Sequence, residues 1–132
     1  MTTANTPLFL RRVLGLDALA SGATGLLLAF GSGPLDGLLG LDPTFTRPAG
    51  LFLVAWALGV AALALQTRPA RPLVMAVIAV NALWAIESVM TLVLGWLQPN
   101  ALGVAFVLAQ AAAVAVFAGL QVFAIRGARQ AA

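Results

Sequence analysis

Four long apolar stretches divide the chain, at about residues 8–31, 48–66, 72–97 and 100–125, with short polar breaks between them. An α-helix rises 1.5 Å per residue, so about 20 apolar residues cross a hydrocarbon layer of about 30 Å. Each stretch is therefore long enough to be a membrane span. Thr6-Pro7 opens the first one as a polar cap followed by a proline, a common helix start. The connections "TRPARP" (67–72) and "QPN" (98–100) are too short to do anything but turn the chain back on itself. The pattern predicts an all-α integral membrane protein. Residues 1–132 form one transmembrane domain, an antiparallel four-helix bundle. The remaining connection, "GSGPLDGLLGLDPTFT" (31–46), reads as a turn-rich connector. Alternatively, Leu35, Leu38, Leu39 and Leu41 lie along the membrane surface as a short interfacial helix.

The polar residues inside the spans are few, and their angular positions are informative. At 100° per residue, with Asn81 at 0°, Ser88 falls at about −20°, Trp84 at about −60°, Thr91 at about −80° and Glu87 at about −120°. They share roughly a third of the helix circumference, and the opposite side is Val, Ile, Met and Leu, which suits lipid. A carboxylate facing hydrocarbon costs several kcal/mol, so Glu87 is expected to face the bundle interior. There the neutral acid would donate a hydrogen bond to Gln110. In the first span Asp17, Ser21 and Thr24 form a similar stripe, flanked by Ala18, Gly22 and Gly25. Small residues at such positions let a neighbouring backbone come close. Gln110 and Gln121 in the fourth span are three turns apart and share a face. Asp17 and Gln121 come out level with one another, and Asn81 level with Ser21 and Thr24. Asp17 is also within expected reach of Arg68, Arg71 or Arg126. Trp56 and Trp84 lie deeper than Trp96 and either pack in the core or wall a pocket for a flat apolar ligand; Trp96 fits an interfacial belt.

Composition narrows the chemistry. The chain is 62% hydrophobic and 8% charged, with mean hydropathy +1.05; a soluble domain carries about 25% charged residues. It has no cysteine, histidine, tyrosine or lysine. Disulfides, thiolate or imidazole metal sites, Schiff bases and Ser-His-Asp machinery are thereby excluded. The net charge of +3 comes from seven arginines scattered singly or in pairs, which is not the basic patch that nucleic acid requires. Six of them, Arg11, Arg12, Arg68, Arg71, Arg126 and Arg129, fall at one end of the bundle. By the positive-inside rule that end, and both termini with it, is cytoplasmic. The first span lacks a signal-cleavage site and is expected to be retained.

"LRRVLGLDALASGATGLLLAFG" (10–31) resembles the opening of DoxX-like and related four-span bacterial membrane proteins, and "GPLDGLLGLDP" (33–43) resembles the loop that follows. The resemblance implies a membrane subunit of a larger, quinone-linked complex. It carries over no catalytic residue. The Ala- and Arg-rich, Lys-free texture points to a bacterial inner membrane. The expected function is thus a non-catalytic structural or accessory subunit, whose partners are the lipid bilayer and either another membrane protein or further copies of itself, with no cofactor. The alternatives are a binder or transporter of a small apolar molecule, lipid or quinone, and a proton-coupled transporter. Both would use the polar set Glu87, Asn81, Trp84, Ser88, Thr91, Gln110, Asp17, Ser21, Thr24, Gln121 and Trp56.

Overall fold

The computed structural model describes the backbone of residues 5–131 and the side chains of residues 8–31 and 33–127. Arg129, counted above among the arginines, lies outside the described side chains. Five helices follow in chain order: α1 (Asn5–Phe30), α2 (Ser32–Leu39), α3 (Pro43–Ala64), α4 (Arg71–Val93) and α5 (Ala101–Ala131). There is no strand among the described residues. Four of the five are long and apolar enough to cross a membrane.

Boundaries shift where local chemistry outweighs hydropathy. α3 begins at Pro43 rather than near Pro48 because Asp42 caps it: the carboxylate accepts the Thr44 N–H at 2.9 Å and Pro43 supplies the first turn. Pro48 then lies inside the helix. α4 stops at Val93, short of the expected Leu97, where Gly95 takes a left-handed backbone (φ 75°). The connector expected at 31–46 contains a helix, α2. It does not lie flat by way of all four leucines. Leu39 and Leu41 are buried with Val107, and only Leu38 is well exposed. Gly40, left-handed at φ 69°, ends α2. Asn100 ties that end to the start of α5. Its N–H donates to the Leu39 carbonyl (3.1 Å), its Nδ2 to the Leu38 carbonyl (2.9 Å), and its Oδ1 accepts from the Gly103 N–H (2.9 Å).

Packing is uneven. α1 lies along α3 in the most extensive contact of the fold. α4 lies along α5, α1 also meets α5, and α3 barely touches α4. The start of α1 meets the end of α3, where Arg11 Nε donates to the Ala64 carbonyl at 2.9 Å. At the other end of that pair Gly25 and Gly50 face each other. A Cβ on Gly25 would stand 2.8 Å from the Gly50 carbonyl oxygen and 2.8 Å from the Val54 nitrogen, and one on Gly50 would collide with the Ala29 backbone. The small-residue patch of α1 does bring a neighbouring backbone in, and the neighbour is α3. A core of Leu10, Leu14, Val60, Leu63, Val74 and Val77 fills the arginine-bearing end.

Overpacking costs about 1–3 kcal/mol. Gly50→Ala is expected to destabilise the protein in detergent by that amount, read as a lower midpoint in a denaturant titration. Gly59→Ala, where a Cβ meets nothing within 4 Å, should keep or raise the midpoint, since alanine suits a helix interior better than glycine. Equal midpoints for the two variants would refute the close approach.

Candidate functional site

The sequence-derived polar set separates into two places. The first is a buried cluster centred on Asp17, which is 0% exposed. Its Oδ2 accepts from Asn81 Nδ2 at 2.7 Å and from Gln121 Nε2 at 2.8 Å, and its Oδ1 accepts from Ser21 Oγ at 3.1 Å. Asn81 Nδ2 also donates to Gln121 Oε1 at 3.1 Å, which closes a ring between α4, α5 and α1. Asp17 takes its hydrogen bonds from amides and a hydroxyl rather than from Arg68, Arg71 or Arg126, all three of which are exposed. The cause is position: Asp17 lies about three turns inside α1, where Asn81 and Gln121 supply the donors and the three arginines stay at the helix ends. Every member of the cluster is under 9% exposed. The cluster is closed to anything larger than itself, and its chemistry is that of interhelical adhesion.

The second place is a cleft of about 520 Å³. It lies toward the end opposite the six grouped arginines, the end that carries Arg47, where α3 barely touches α4. Thr24 and Leu28 of α1, the first half of α3, the second half of α4 and Val107 and Gln110 of α5 line it. Trp84, Glu87, Ser88, Thr91 and Gln110 of the expected set are all in its wall. Their hydrogen bonds are mostly internal. Trp84 Nε1 donates to Gln110 Oε1 at 2.9 Å and Gln110 Nε2 to the Val107 carbonyl at 2.9 Å. Ser88 Oγ donates to the Trp84 carbonyl and Thr91 Oγ1 to the Ser88 carbonyl, each at 2.7 Å. Thr24 joins the cleft rather than the cluster that holds Ser21.

Glu87 departs from expectation. It is exposed, and Gln110 bonds to Trp84 instead. The polar stripe of α4 is wider than its contact with α5. Asn81 points into that contact, and a residue about 120° away points out of it, across the gap left by α3. Glu87 makes no hydrogen bond or ion pair among the described residues.

Two residues escaped the sequence reading, Thr46 in the wall and Phe52 outside it. Thr46 sits between two prolines in what reads as connector, yet it is 3% exposed and its Oγ1 has no hydrogen-bond partner. Phe52 stacks on Trp84 with ring centroids 5.8 Å apart and planes 8° apart, and on Trp56 at 6.3 Å and 14°. Its spacing of four from Trp56 was the available signal. The Phe52–Trp84 stack bridges α3 and α4, with Trp84 in the cleft wall. Trp56 itself packs against the core of the arginine-bearing end rather than into the cleft.

Compared with protein-family models, curated proteins and solved structures, the chain matches none.

Stranding buried donors costs about 1–3 kcal/mol each. Asp17→Leu is expected to lower stability by roughly 3 kcal/mol or more, since three donors lose their acceptor. Replacing Asp17, Asn81 and Gln121 together by leucine should recover most of that loss, because a missing network costs less than a broken one. The check is the unfolding midpoint of both variants in the same detergent. A triple variant as unstable as the single one would mean that the cluster does more than hold helices together.

Proposed function

We propose that the chain is a multi-pass membrane protein that holds a small, largely apolar molecule in the cleft between α3 and α4. On this reading the four long helices cross the bilayer antiparallel to one another. Both termini and the arginine-bearing end lie in the cytoplasm, by the positive-inside rule. The Lys-free, Ala-rich composition favours a bacterial inner membrane. The exposed side chains of the spans are mostly Leu, Phe, Val, Ile and Met, which suits lipid contact.

The observation that carries the reading is the cleft. Its volume of about 520 Å³ falls in the range of about 300–1,000 Å³ usual for small-molecule sites, which are apolar with a few polar anchors. Thr46 supplies such an anchor, a buried hydroxyl left without a partner. A buried polar atom without a partner asks for an explanation, and a bound molecule that accepts or donates one hydrogen bond provides it. α3 and α4 barely touch, and a gap between two spans would admit a molecule from the lipid. Lipids and quinones have the required shape, an apolar body with one polar end. The accessory-subunit reading, which the likeness of residues 10–31 to DoxX-like proteins supports, is compatible: such a subunit would hold the molecule for a partner.

Two measurements test this. The full chain is extracted from its native membranes in mild non-ionic detergent, and its organic extract is examined by mass spectrometry. Wild type is expected to carry one molecular species enriched over bulk lipid, and Ala49→Phe, which projects a ring from the cleft wall, to carry little of it. Identical extracts from both proteins would remove the proposal. Separately, Thr46→Val keeps the side-chain shape and deletes the unsatisfied hydroxyl. It should stabilise the ligand-free protein by about 1 kcal/mol and weaken retention of the bound species. Loss of stability instead would give Thr46 a structural role.

A further inference from the structure

We infer that the molecule held in the cleft carries a positively charged, ammonium-type head, which Glu87 receives. The inference rests on the reading of the cleft as a binding site and names the class of ligand. Its first support is charge. Glu87 is the sole ionisable residue in the lining, and no arginine lines the cleft. Arg47, next to Thr46 in sequence, is exposed and outside the wall. An anionic head would meet Glu87 with nothing to offset it.

The second support is the state of Glu87 itself. In a helix long and apolar enough to cross a membrane, a carboxylate is costly unless it is paired or hydrogen-bonded. Asp17 is satisfied by three donors from its own chain. Glu87 has none among the described residues, although amide and hydroxyl side chains stand in the same wall. Ser88 and Thr91 give their hydroxyls to backbone carbonyls, and Gln110 is turned to Trp84 and the Val107 carbonyl. The carboxylate is thus left open toward the cleft, and the partner it lacks is a cation.

The third support is the wall. Phe45, Trp84, Trp96 and Phe106 all line the cleft. Aromatic faces attract cations that have left water, and quaternary ammonium groups are recognised in this way. A neutral apolar ligand would be served equally well by leucine. One carboxylate, several aromatic rings and no basic side chain together select a lipophilic cation over a neutral or anionic amphiphile.

The test compares three probes with the same twelve-carbon chain: dodecyltrimethylammonium, dodecanol and dodecanoate. Each is titrated into the full chain in nanodiscs of phosphatidylcholine, and empty discs correct for partition into lipid. Tryptophan fluorescence reports occupancy, since Trp84 and Trp96 line the site. The expected result is that the cation binds about tenfold or more tightly than the alcohol, with the carboxylate weakest. Glu87→Gln should bring the affinity for the cation down to that for the alcohol; Glu87 is exposed and has no hydrogen bond or ion pair among the described residues, so its replacement breaks none of them. Equal binding of the three probes to wild type would overturn the choice of cation and leave the cleft as a binding site. Saturable binding of none would overturn the cleft reading as well. Should the variant fail to fold, the wild-type ratio of cation to alcohol decides by itself.

Discussion

A carboxyl group in an apolar interior must be satisfied by its own chain, and the arrangement of α1, α4 and α5 follows from how Asp17 achieves this. Its two oxygens receive Ser21 from its own helix, Asn81 from α4 and Gln121 from α5. Apolar side chains slide past one another at little cost, whereas hydrogen bonds of 2.7–3.1 Å fix rotation and height together. With Asn81 turned inward, Trp84 faces Gln110, and the residues one turn further along face the gap beside α3. The cleft is in this sense an outcome of satisfying Asp17. The other fixed element is the glycine contact of α1 with α3, which holds that pair by close backbone approach rather than by side chains.

Much of this is legible in the helical repeat. Asp17, Ser21, Asn81 and Gln121 can be placed on matching faces and at matching heights from spacing alone, because a 1.5 Å rise and a 100° turn are properties of the backbone. The glycines of α1 likewise announce a close neighbour. Four apolar stretches give the four long helices, with their ends displaced where Asp42 and Gly95 act locally.

Other features depend on what a single helix does not encode. The inward placement of Glu87 fails because a polar stripe records which residues avoid lipid, not which neighbour they meet. α3 keeps its distance from α4, and nothing in either helix states that distance. Thr46 is hidden by its setting between Pro43 and Pro48, where a connector is the natural reading until the Asp42 cap is seen. The helix in the first connection owes its place to Asn100, more than sixty residues away in the chain. The cleft is an absence of contact, and no periodicity marks an absence.

Chain order adds a temporal side to the Asp17 cluster. Synthesis delivers the N-terminal part of a chain first, so α1 and α3 can join through their glycines as soon as both exist. At that moment Asp17 has one of its three donors, Ser21, in the same helix. The other two arrive only with α4 and α5. The half-made protein is therefore paired but unsatisfied, and completion of the last helix relieves it. A carboxyl that merely bonds helices in the finished fold acts during assembly as a latch that stays open until the whole chain is present.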